Sequence, residues 1–197
     1  MNSTILKALS IRKARGEDIK EVLLTYKNLS VDEINEYLVY FNLPLIEETL
    51  DEIRSNKIAS LSTQCHAMIE NGVDVEINGV TEHFSYSIEK GDQGNIDDLF
   101  SLATATKLSQ PYHADGGSCK LYTPEQITAI YVAQKTNKTV QETWFNQMKQ
   151  YILVCEDGDE IKAIEYFQPL TGIYLENYNA ILAQAQAIIN VVIGGGN

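Results

Sequence analysis

An α+β fold that is mainly helical, with helices packed on a β-hairpin or small antiparallel sheet, is predicted by three features of this chain. Apolar residues recur at three- and four-residue spacing over most of its length, the pattern of amphipathic helices. One segment, 73–88, switches to strict alternation around Asn78-Gly79. Thr123-Pro124-Glu125-Gln126 supplies a cap, a first-turn proline and a reciprocal amide, so a strong helix starts there.

Taken in order, Ile19, Val22, Leu23 and Tyr26 predict a short helix within 17–30, and Ser30 before Val31-Asp32-Glu33 caps a second. Asn42-Leu43-Pro44 breaks the chain. A long helix is predicted from 45 to 71, its apolar stripe running from Ile46 through Leu61 and Cys65 to Ile69, with a slip in phase near Lys57 and Gly72 as its end. The slip disfavours a long two-stranded coil and favours packing in a bundle or mixed oligomer.

Val73, Val75 and Ile77 then alternate with polar residues, as do Phe84, Tyr86 and Ile88 beyond the turn. Asn-Gly accepts the positive φ angles of a type I′ turn, so this is a hairpin whose apolar face needs a neighbour. The turn 91–95 leads to a helix through Ile96, Leu99, Phe100, Ala103 and Leu108, stopped at Gln110-Pro111. Residues 112–117 read as loop and 118–122 as a short third strand. The capped helix from Thr123 reaches Val154, with an interruption at Thr136-Asn137; a shorter one spans 159–165. The last, 172–193, is apolar around much of its circumference, which predicts burial in its own domain or between subunits, with Gly194-Gly195-Gly196 fraying the end. Three regions result: an N-terminal helical attachment region (1–44), a main domain (45–157) and a C-terminal apolar helix (158–197).

A net charge of -12 and a pI near 4.6 in 197 residues argue against tracking nucleic-acid phosphates, which takes clustered Lys and Arg. Three cysteines, Cys65, Cys119 and Cys155, without CxxC spacing read as free thiols. The first fifteen residues lack the apolar core and cleavage site of an export signal, and no stretch reaches the roughly 18 consecutive apolar residues that span a bilayer.

His113, Asp115 and Cys119 form H-x-D-x3-C, and His83 or Cys65-His66 could join them around zinc; a Cys-His nucleophile pair can be drawn from the same residues. One cysteine per cluster is poor zinc spacing, and Asp-Gly-Gly is also a turn. Asp92, Asn95, Asp97 and Asp98 lack the Gly and Glu of a calcium loop and read as helix caps. Gly194 to Gly196 precede no helix or Lys, so they form no phosphate loop. No catalytic, cofactor-binding or metal residue is assigned, and no cofactor is expected.

Four blocks in one order nevertheless carry a resemblance over 62–152. They are Cys65 with the hairpin 73–85, then Asp92-Gln93-Gly94-Asn95-Ile96, then Tyr112-His113-Ala114-Asp115-Gly116 with Cys119, and the helix from Thr123. Together they resemble a family encoded by tailed bacteriophages and prophages of Gram-positive hosts, in the tail-fibre and baseplate gene neighbourhood; Gly94 departs from its pattern. The resemblance assigns no activity to any residue. It implies a structural component of a phage or phage-like tail, in the virion after synthesis in the host cytoplasm, that is oligomeric and contacts tail, baseplate or fibre proteins. The N-terminal helices would attach to such a partner while the hairpin domain forms the body. An alternative is a tail-fibre assembly chaperone absent from mature particles; a second is a metal- or thiol-dependent enzyme around His113, Asp115 and Cys119.

Overall fold

The computed structural model describes residues 1–194, and the fold is α+β and mainly helical. Residues 195–197, including two of the glycines expected to fray, lie outside the described residues. The chain divides into two compact units, Met1–Ile53 and the remainder from Arg54.

The first unit holds three helices, α1 (Ser3–Ala14), α2 (Ile19–Leu24) and α3 (Val31–Tyr40). No apolar stripe in the sequence announced α1; it is capped by Asn2 and held by buried Leu9. The helix expected within 17–30 is only α2, because Asp18 caps its start and the turns at Thr25 and Tyr26 close it within two turns. Ser30 caps α3, as the sequence predicted, and Glu33 reaches back to complete the cap reciprocally. Leu9, Leu23, Leu38 and Tyr37 form the fully buried centre of this unit, each such side chain contributing about 1.5–3 kcal/mol.

The helix expected from 45 begins instead at α4 (Leu50–Asn71). Two side chains explain the delay. Asn35 clamps Ile46, donating from Nδ2 to its carbonyl at 2.7 Å and accepting its N–H at 2.8 Å. Thr49 then forms a capping box with Glu52, which fixes the start of the helix four residues further on.

In the second unit, β1 (Val73–Ile77) pairs antiparallel with β2 (Val80–Phe84), Ile77 opposite Val80, across Asn78 (φ 54°) and Gly79 (φ 80°). This is the predicted hairpin, although β2 stops at Phe84 instead of reaching Ile88: Gln134, fully buried on a helix, donates to the carbonyls of Phe84 and Ser85 where a strand partner would. Helix α5 (Asp92–Thr106) starts four residues before the expected Ile96, since Gly91 takes the left-handed conformation at its N-cap, and Lys107 takes it at the other end. Gln110-Pro111, read as a helix stop, belongs to a strand; β3 (Gln110–Tyr112) pairs antiparallel with β4 (Lys120–Tyr122), the shortened form of the expected third strand. Pro111 is compatible with such a two-stranded edge.

Helix α6 (Pro124–Val154) runs 31 residues, capped at Thr123 by Gln126, with no interruption at Thr136-Asn137. Asn137 Nδ2 reaches the Met68 carbonyl at 3.3 Å, and two residues on Thr139 Oγ1 bonds back to the Lys135 carbonyl at 2.8 Å, so the helix runs on through this polar stretch. A short α7 (Gly158–Ala163), capped by Asp157, replaces the expected 159–165. Arg54 and Lys57 tie α4 to this end of α6 and to α7 through the carbonyls of Cys155, Lys162 and Ile164. The core gathers Phe84, Tyr86, Ile96, Tyr122, Ile127 and Ile130, so α6 is the spine on which both hairpins and α5 sit.

The last helix, α8 (Gly172–Gly194), lies antiparallel along α6: Tyr174 meets Tyr151, Leu182, Ala185 and Ile189 face Thr136, Thr139 and Val140, and Val192 comes beside Pro124 and Thr128. Of the two expected places of burial, its own domain covers this helix only in part. No residue of α8 is buried in this chain, because α6 covers one face only.

Candidate functional site

Two polar clusters occupy opposite faces of the β1–β2 hairpin, and both bind it to the β3–β4 segment. On the outer face Asp74 and His83 are directly opposed across the strands. His83 Nδ1 lies 2.7 Å from Asp74 Oδ1, and Nε2 lies 2.6 Å from the Asn71 carbonyl oxygen. A carboxylate and a main-chain carbonyl only accept, so this arrangement is fully hydrogen-bonded when the ring is protonated on both nitrogens. Its pKa is raised, chiefly by the bond to Asp74 against the opposing effect of burial, with help from the Asn71 carbonyl and the charges of Asp74 and Asp115.

Asp115 completes this face from the loop after β3. Its N–H bonds to the His83 carbonyl at 2.9 Å, its carboxylate accepts from Ser85 Oγ, and Oδ2 stands 3.9 Å from His83 Nε2. Of the residues that the sequence offered for zinc or nucleophilic chemistry, the fold therefore brings together His83 and Asp115. His113 is exposed, with Nδ1 3.2 Å from the Ala114 carbonyl and its ring stacked on Tyr112; Cys119 is exposed on the same segment, and His66 is exposed on α4. Cys65 is buried, and burial pushes its thiol pKa up despite a hydrogen bond with Tyr166, the reverse of what a nucleophile needs. Both ring nitrogens of His83 are engaged, one by Asp74 and one by the Asn71 carbonyl, so neither faces a metal or a substrate. Among the described residues no three His, Cys, Asp or Glu side chains are grouped to hold a metal ion.

The inner face holds residues that the sequence reading passed over. Glu82 projects toward the core side with Phe84, its side chain 11 % exposed, and accepts from Lys120 Nζ and from Tyr122 Oη, each at 2.5 Å. Those two bonds hold its carboxyl below the usual range, while burial and the same carboxylate push the Tyr122 phenol well above its own. Strand alternation carries the signal: position 82 is on the same side of the strand as Phe84, and a carboxylate turned inward requires partners. Tyr112, whose burial pushes its phenol up to about 12, stacks on Phe84 and closes this corner. Both clusters read as clasps that fix one hairpin on the other.

Among the described residues, α8 carries an apolar surface that its neighbours leave exposed. Ile173, Ile181, Ile188 and Val191 are 57, 44, 55 and 74 % exposed, and the 23 residues of the helix carry one charge, Glu176. A cleft of about 360 Å³ lies beside its end, between Phe100 and Thr104 of α5 and Pro124 and Thr128 of α6. No helix among the described residues is long and apolar enough to cross a membrane.

The fold and these clusters define a helical domain built on two clasped hairpins. Its family is shown by sequence: residues 52–167 match the family described as Domain of unknown function (DUF4376), and the chain belongs to it. The matched residues cover α4 through α7 and both polar clusters, and end before α8. Neither curated proteins nor solved structures gave a match to the chain.

Proposed function

We propose that this protein is a structural component of a bacteriophage or phage-like tail, at the baseplate or joined to a fibre, and that it acts through protein surfaces without making or breaking a bond. The observation that carries the reading is α8, a helix of 23 residues with one charge and no buried residue, whose apolar side chains call for another protein to cover them. The blocks that resemble tailed-phage proteins support it: the hairpin 73–85, the start of α5, the Asp115 loop and α6 are parts of one clasped unit, so the resemblance follows a physical body and not scattered turns. The histidine-bearing loop is accounted for by that clasp. The test is mass spectrometry of purified particles from a strain that encodes the protein, where it is expected at fixed stoichiometry to a baseplate or fibre protein.

A second reading, the fibre-assembly chaperone, is favoured by the first unit, a separate compact helical body on a chain of net charge -12. It requires absence from mature particles and co-purification with unassembled fibre, so the same proteomic experiment separates the two.

A further inference from the structure

The face of α8 is patterned, and the pattern names its occupant. At about 100° per residue, Tyr174, Tyr178, Leu182, Ala185, Ile189 and Val192 fall on one side of the helix; the partly covered ones among them are those that meet α6. A second stripe, Asn177, Ile181, Gln184, Ile188 and Val191, is spaced four, three, four and three residues apart, the heptad rhythm of a helix that packs against another helix. All five of its residues are exposed. The two stripes are about 90° apart on the helix, the angle at which a helix in a four-helix bundle touches its two neighbours. One neighbour is α6; among the described residues of the same unit no helix takes the place of the other.

We propose that the second stripe of α8 binds the same stripe of a second copy of this chain, antiparallel about a two-fold axis through Gln184. Antiparallel pairing sets Gln184 against Gln184 and Asn177 against Val191, and brings Ile181 to within one residue's rise, about 1.5 Å, of the level of Ile188. A carboxamide both donates and accepts, so the central pair is complementary to itself, as an isologous contact requires. Charge points the same way. Copies that each carry -12 repel one another over most of their surface, and the single charge of α8, Glu176, is turned about 100° away from this stripe. A membrane surface is a poor occupant, since the helix has no Lys or Arg to meet headgroups. The stripe spans 15 residues, about 21 Å, so one helix pair lies at the small end of specific interfaces and gives a dimer of about micromolar strength.

This inference stands on the pattern of α8 and supplies a partner for the surface invoked above; a monomeric chain found in particles would end it and leave the tail reading intact. The test is sedimentation of the full chain from about 1 to about 100 µM, where the mass should rise from one chain to two, and the association should tighten as salt screens the like charges. Ile181→Glu with Ile188→Glu should weaken association at least about 100-fold at unchanged helical circular dichroism, while Ile188→Leu should preserve it. In a Cys119→Ser background, Gln184→Cys should form an interchain disulfide with itself, and Asn177→Cys only with a Val191→Cys chain. A monomer throughout the range, a dimer indifferent to the glutamates, self-crosslinking of Asn177→Cys, or a stripe needed only for vesicles of anionic lipid or a different protein would each overturn it.

Discussion

Individual residues make sharp demands at the hairpin. Gly72 ends α4 at φ 81°, and a Cβ there would stand 1.9 Å from the Phe84 carbonyl oxygen. Main chain cannot rotate aside, so Gly72→Ala is expected to cost about 3 kcal/mol or more in urea unfolding. Gly16 has the same φ and nothing within 4 Å, and Gly16→Ala should cost only about 1–2 kcal/mol. The contrast separates crowding from backbone strain. For His83 the sign follows from its raised folded pKa. The native state holds the proton more tightly than the unfolded chain, so the imidazolium contributes its full stability below about pH 6.5, and that contribution fades as pH rises through the folded value. His83→Gln should flatten this dependence above about pH 6.5, measured by unfolding midpoints at each pH. Glu82 behaves oppositely: its lowered pKa contributes above the unfolded value near 4.5 and is lost as pH falls.

Among the elements, α6 depends on its first turn. Thr123 Oγ1 accepts the Gln126 N–H while the Gln126 amide oxygen accepts the Thr123 N–H, so Thr123→Ala should cost about 1 kcal/mol, with a shifted midpoint and an unchanged denaturant slope. That cap was legible in the sequence because every part of it lies within four residues, and so was the Asn78-Gly79 turn. Boundaries set from a distance were not. The start of α4 depends on Asn35, eleven residues before Ile46; the end of β2 depends on Gln134, fifty residues after Phe84. Strand β3 hid behind Pro111, whose local meaning is a stop and whose pairing with Leu121 only the fold reveals. The candidate site was half legible for the same reason: His83 and Asp115 were on the page as chemistry, but their union, with Asp74 and Ser85 as partners, arises from strand pairing and a loop thirty residues on.

At the level of the molecule, the two units have separate cores, one centred on Leu38 and Tyr37 and the other on Phe84, Ile127 and Ile130. Leu38→Ala should cost about 3 kcal/mol and lower amide-exchange protection within residues 1–53. The fluorescence of Trp144, the single tryptophan, whose Nε1 donates to the Gln168 carbonyl in the second unit, is expected to stay unchanged. Family membership covers the clasped body; the helices α1 to α3 and α8 flank it on either side in sequence. Cys119 has a practical bearing on where that body goes. Of the three thiols, Cys65 and Cys155 are buried and Cys119 stands exposed at the tip region of the second hairpin. Maleimide-linked gold would thus mark each copy at one known point, and under the proposed tail role electron micrographs of labelled particles would turn the count and radius of those marks into an address.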